Sequence, residues 1–211
     1  VNMSGIFYGC ENLHSMDVSA WNTSKVKDFS YMFSGCNALN ALNLDGLETE
    51  EATNMGYMFD GCSMVKALDL SGCNTEKVTD MKYMFHGCTS LENLNITSWK
   101  TDKVTDMRHI FEECSNLQSI DLSDWDTGAL TVSKLMFNGC SSLVTIYASD
   151  EFVFTNVTIE GDYANMFRDC TSLVGGEGTA YDASHTDKEY ARIDGGTSNH
   201  GYFTRSHKPA Q

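Results

Sequence analysis

Residues 81–106 read MKYMFHGCTSLENLNITSWKTDKVTD, and this stretch, laid over its neighbours, decides the fold. Its Phe85 recurs as Phe7, Phe33, Phe59, Phe111 and Phe137 at a spacing of 26, and Phe167 follows after 30. Cysteine keeps the same step three residues later, at Cys10, Cys36, Cys62, Cys88, Cys114, Cys140 and Cys170. Leu13, Leu39, Val65, Leu91, Leu117, Leu143 and Leu173 form a third column; Met16, Leu42, Leu68, Leu94, Ile120 and Ile146 form a fourth. Columns in register along most of a chain mark an internal repeat, so the chain is read as seven stacked copies of one unit. A lone unit cannot bury its apolar columns, so stability has to come from neighbours stacking like onto like.

Each unit has two halves of different period. Leu42 and Leu44 flank Asn43, and Leu68 and Leu70 flank Asp69, the alternation of a short strand with one buried face. Met81, Met84, Phe85 and Cys88 fall at helical spacing, with Asp80 placed as an N-cap and Gly87 as a terminator. The spacing therefore predicts one short strand and one short helix per coil of about 26 residues. Glu113 and Asp169 stand in the glycine column, which implies that this position does not require a left-handed backbone in every coil. Between Asp150 and Gly161 the period stretches by four residues, read as a loop bulging from one coil. From Val174 the pattern lapses into glycines and polar residues with scattered aromatics. The chain therefore divides into a repeat solenoid over 1–173 and a capping segment and tail over 174–211, the cap being needed to cover the last strand edge.

The totals restrict the function. The net charge of -15 repels phosphate backbones and anionic lipid surfaces, which argues against nucleic acid as a partner. No apolar run approaches the roughly 18 residues of a membrane helix, so no direct membrane insertion is expected. Val1 to Cys10 lacks the features of a signal peptide, and the chain opens in mid-motif, which reads as a fragment lacking its signal and anchor segments. The one proline, Pro209, lies at the end, so no proline-rich linker divides the body.

Chemistry is sparse. No two cysteines lie closer than 11 residues, so zinc-knuckle spacing is missing, and a cysteine column at coil spacing reads as small, buried, reduced hydrophobes. Ser184, His185 and Asp187 adjoin in sequence, but a triad is recognised by geometry. Asp182, Asp187, Glu189 and Asp194 lack the spacing of a calcium loop, and Gly175, Gly176 and Gly178 lack the strand and helix that would frame a phosphate loop. Hence no catalytic residue, metal ligand or cofactor is assigned, and no enzyme activity is expected. The outward strand positions Asp17, Asn43, Asp69, Asn95 and Asp121 form the candidate partner-binding face, a flat ladder in which alternation of Asp with Asn halves the like-charge contacts.

The L-x-x-L-x-L core, as in Leu117, Ile120 and Leu122, resembles a leucine-rich repeat. With the M-F-x-G-C element and the W-x-T turn, the unit resembles the BspA-like repeat of bacterial surface proteins, of the gut-bacterial type. The resemblance implies an α/β right-handed solenoid of leucine-rich-repeat type with a parallel sheet on one face, exposed at the cell surface or secreted. It also implies adhesion to host or microbial macromolecules, the partner being an extracellular protein or glycan and the module a monomer. A structural spacer within a larger surface protein is the alternative, and the small, repetitive outward columns lean toward it. The chain departs from the ordinary repeat where Asn or Cys should tie down the turn: of Trp21, Leu47, Cys73, Trp99 and Trp125, which stand there, only Cys73 fits. Thr23, Thr49, Thr75, Thr101 and Thr127 are then the candidates to bond that turn.

Overall fold

One short strand per coil, its middle residue pointing inward, builds one wall of the solenoid. The computed structural model describes residues 1–159, 161 and 164–206; the end of the tail, with Pro209, lies outside the described residues. Strand β1 (Ser15–Asp17) pairs in parallel with β2 (Ala41–Asn43), and β3 (Ala67–Asp69) with β4 (Asn93–Asn95). Strand β5 (Ser119–Leu122) pairs with β6 (Thr145–Ala148), which is covered by β7 (Phe203–Arg205). The wall is thus three short sheets rather than one. Continuity comes from the other half of each coil, where single parallel bridges link Asn2, Asp28, Asn54, Asp80, Asp106 and Val132 in series. From Asn2 to Val132 is 130 residues, which at 26 per coil is five turns.

The expected short helix in each coil is not there. Among the described residues there is no α-helix, and Lys188–Tyr190 and Gly196–Ser198 in the C-terminal segment are short 3-10 turns. The stretch from Met81 to Cys88 instead divides its amides between two partners. Met81, Tyr83, Phe85 and Gly87 donate to the carbonyls of Asp106, Arg108, Ile110 and Glu112 in the next coil, at 2.9–3.1 Å. Met84, His86 and Cys88 donate three residues back, to Met81, Tyr83 and Phe85, at 3.1–3.3 Å. Lys82 N–H goes to Asp80 Oδ1 at 3.1 Å, so Asp80 caps a turn, not a helix. No amide is left for the i→i−4 pattern of an α-helix.

The backbone device behind this path is a pair of left-handed residues four positions apart in each coil. Gly5, Tyr31, Tyr57, Tyr83, His109, Leu135 and Asn165 all have φ between 54° and 64°. The glycine column has φ of 68–76° at Gly9, Gly35, Gly61, Gly87 and Gly139. Glu113 and Asp169, at 61° and 60°, adopt the same conformation, so the glycine column does require a left-handed backbone in every coil. The inter-coil hydrogen bonds impose it against the side chains' preference.

Like columns stack inside. Phe7, Phe33, Phe59, Phe85, Phe111, Phe137 and Phe167 form a continuous pile with ring centroids 5.5–5.8 Å apart and planes within 17°. The buried cysteines lie beside it, and each thiol donates to a phenylalanine carbonyl of the preceding coil, as from Cys88 Sγ to Phe59 O at 3.2 Å. Trp99 stacks on Trp125 at 6.2 Å, but only Trp99 Nε1 finds an acceptor, Leu70 O at 2.9 Å. Trp125 Nε1 is buried without one. The threonine column does bond the turn. Thr75 Oγ1 donates to Lys100 O at 2.9 Å and accepts from Lys100 N–H at 2.7 Å. Thr49, Thr101 and Thr127 likewise donate to carbonyls of the next coil.

The C-terminal segment is pinned onto the last coil. The Asp194 carboxylate accepts from the Glu177, Thr179 and Gly196 amides and the Thr179 hydroxyl at 2.7–3.0 Å. Gly175 and Gly201 sit where a Cβ would lie 2.2 Å and 2.3 Å from a backbone oxygen, so only glycine fits.

Two stability changes follow from this architecture. Relieving a left-handed glutamate gains roughly 1–2 kcal/mol against roughly 0.5–1 kcal/mol of glycine entropy. Glu113→Gly should therefore raise the urea midpoint slightly, whereas Gly87→Ala should lower it. Thr75→Val strands both Lys100 backbone groups and should cost about 1–3 kcal/mol in the same titration; an unchanged midpoint would mean that water replaces the hydroxyl.

Candidate functional site

Four of the five candidate strand-face residues end a strand and Asp121 is the last but one of β5, and each side chain turns back on its own backbone. The Oδ1 atoms of Asp17, Asn43, Asp69, Asn95 and Asp121 accept the amide two residues on, from Ser19, Asp45, Ser71, Thr97 and Ser123, at 2.9–3.3 Å. This is an Asx turn, the local competitor to continued strand. Hydrogen bonds from Ser19 hold the Asp17 carboxyl below its usual range, and those from Ser71 do the same for Asp69. The Asn43 and Asn95 amides add to the effect across the strand pairs. Asn therefore alternates with Asp for two reasons: it removes a charge and supplies a donor to the neighbouring carboxylate.

The structure aligns these five residues in pairs, not as one unbroken row. Asp17 is in register with Asn43, and Asp69 with Asn95, while Asp121 faces Tyr147. Beside them the small row of Ser15, Ala41, Ala67, Asn93 and Ser119 is exposed. It leaves a shallow hollow of about 450 Å³ over Ala67, Asp69, Asn93 and Asn95. A second, of about 580 Å³, lies over Ser15, Asp17, Ala41 and Asn43.

A second surface went unread in the sequence, although its columns keep the same period. Tyr31, Tyr57, Tyr83 and His109, thrown outward by their left-handed backbones, stack at 4.1–4.6 Å with planes within 12°. Along this stack runs a polar relay. Ser34 Oγ donates to Asp60 Oδ2 at 3.1 Å, and Asp60 Oδ1 meets His86 Nδ1 at 2.7 Å. His86 Nε2 stands 3.6 Å from Glu112 Oε2, which also meets His109 Nδ1 at 2.5 Å. Asn138 Nδ2 donates to Glu112 Oε1 at 2.7 Å. One chain of side-chain contacts thus ties five successive coils.

The sequence's other candidates are spent separately. Ser184 Oγ donates to Asp182, Asp187 Oδ1 accepts from the Asn165 amide, and the His185 ring stacks on Tyr190 at 4.5 Å. Among the described residues no three of His, Cys, Asp and Glu are grouped to hold a metal ion. All eight cysteines are free thiols, and burial pushes Cys36 and Cys73 up to about 11 and Cys170 to about 12. Thiolate chemistry is suppressed in these three.

The relay makes stability depend on pH. The hydrogen bond that His86 donates to the Asp60 carboxylate, with the charges of Asp60, Glu112 and Glu113, raises the His86 pKa above 6.5 against the cost of burial, and the Tyr83 ring meets the imidazole edge to face. A group whose pKa is raised on folding contributes fully below its unfolded value and loses that contribution as pH rises through its folded value. The unfolding midpoint should therefore fall as pH is raised from 6 through and above 7, and His86→Gln should flatten that part of the profile; an unchanged slope in the variant would remove His86 as its source.

A search of curated proteins finds no match. A crystal structure of a leucine-rich repeat protein from Bacteroides ovatus ATCC 8483 is similar at 17% identity with a TM-score of 0.32, covering 82% of this chain and 68% of that one. The family described as "Mycoplasma protein of unknown function, DUF285" matches residues 1–67 and 58–179, most of the repeat array, and the chain therefore belongs to that family.

Proposed function

We propose that this chain is a non-enzymatic interaction module of the BspA-like type, outside the cell or at its surface, that meets an extracellular protein or glycan on its strand face. The observation that carries the reading is the rigid, exposed row of small side chains from Ser15 to Ser119, bordered by Asx residues already fixed in turns. A partner laid along that row meets side chains that lose little freedom on binding, so contact is gained at small entropic cost. Extended faces of this kind are where repeat solenoids commonly take partners.

A structural spacer remains the second reading, for a specific reason. All five Asx side chains serve the turns, so their recurrence needs no ligand to explain it. Binding and spacing therefore separate only where the small row is altered and the Asx residues are kept. Ala41→Lys and Ala67→Lys fill the two hollows without touching a turn. The chain should bind saturably to one or more of a panel of immobilised matrix proteins and glycans at physiological salt, and the double variant should lose at least about tenfold in affinity at an unchanged unfolding midpoint. Binding to nothing across the panel favours the spacer; binding that survives the double variant moves the site off the strand face.

A further inference from the structure

The regular stack offers shallow hollows, and a larger cavity lies where regularity fails. Residues 149–155, which follow β6, lie beside the C-terminal segment from Lys188 to Arg205. Between them lies a cleft of about 700 Å³, floored by Phe152, Phe154 and Ala191, each no more than 7% exposed. Three of the chain's 14 Lys and Arg residues, Lys188, Arg192 and Arg205, line this one cleft. The same lining holds Asp150, Glu189 and Asp194, so in a protein of net charge -15 the cleft is formally neutral, and an anion there is repelled less than over an acidic surface.

We propose that this cleft binds a sugar carrying a single carboxylate, of the uronic acid type, with Arg192 and Arg205 holding the carboxylate and the apolar floor taking the ring. Arg192 Nη1 donates to Asn199 Oδ1 at 3.0 Å and Nη2 to the Glu189 carbonyl, and among the described residues Arg192 forms no ion pair. A guanidinium has five donors in a planar fork, which leaves several for a carboxylate. Arg205 Nη1 meets Asp150 Oδ2 at 2.5 Å, but both side chains are more than half exposed, a pairing weak enough for a ligand to displace. The Asp194 carboxylate is already filled by its four donors and does not compete for the guanidinium groups. Asp150 and Glu189 in the same lining limit the cleft to a single carboxylate and repel a polyanion.

This site stands apart from the strand face and holds whether or not that face binds. It is tested on the full chain by amide NMR titration with glucuronate at low salt, with glucose and acetate in parallel. Saturable shifts should centre on Asp150, Ile193 and Arg205. Arg192→Gln, at an exposed residue, should weaken binding at least about tenfold, and Asp150→Asn should tighten it severalfold by releasing Arg205, a gain that misfolding does not produce. Absence of saturable shifts, or shifts away from the cleft, overturns the site. Equal binding of glucose overturns the role of the carboxylate, and equal binding of acetate overturns the role of the sugar.

Discussion

The constraint on which everything else rests is the alternation of backbone amides between the next coil and the residue three back. From Met81 to Cys88 no amide can be satisfied by the coil alone in the number that helix would allow; half of them need carbonyls 25 residues onward. A coil lifted out of the stack would leave those groups to water and its apolar columns uncovered. Folding is therefore a property of neighbours, and each added coil stabilises the one before it. The same rule explains the end of the array, where β7 supplies β6 with a partner that the repeat no longer provides.

Stacking in register also dictates side-chain chemistry, because every residue meets its own column at the coil spacing. That suits flat rings, small thiols and hydroxyls, and the phenylalanine pile is its clearest product. It is hostile to charge, since an acidic column would place carboxylates one above another. The chain escapes this by changing residue type along the charged columns. Ser34, Asp60, His86, Glu112 and Asn138 occupy one column, and donors alternate with acceptors along it. Lys82 and Arg108 reach Asp80 and Asp106 at 2.7 Å and 2.6 Å where a neighbouring column turns acidic.

How far the sequence could be read follows from the same physics. The period, the buried columns, the strands and the threonine bonds were legible because each depends on residue type repeated at fixed spacing. The helix was misread because apolar residues at Met81, Met84, Phe85 and Cys88 fit both a helix and a path of short turns. What separates the two is the sign of φ at Tyr83 and Gly87, and a tyrosine carries no warning that its backbone is left-handed. Glu113 and Asp169 misled for the same reason: ladder bonds to a neighbouring coil override a local preference of roughly 1–2 kcal/mol. The Asx turns on the strand face were also hidden, since the outward alternation of Asp and Asn is equally consistent with a solvated ladder. Trp125 shows the limit of argument by column, because its Nε1 has no acceptor while Trp99, one coil earlier, has Leu70.

Regularity and specificity pull against each other in such a chain. A column that repeats in every coil presents any ligand with the same contact at each step, so alone it fixes neither position nor register along the stack. Discrimination has to come from places where the repeat is broken: the sheet breaks between β2 and β3 and between β4 and β5, the tyrosine stack that gives way to His109, and the loop beyond Asp150. The first two are changes of residue or pairing on an unchanged backbone path. Beyond Asp150 the C-terminal segment packed beside the last coil borders a volume of its own, whose lining sets Lys188, Arg192 and Arg205 among Asp150, Glu189 and Asp194. The regular coils set the geometry, and the departures from regularity give the surface its distinct addresses.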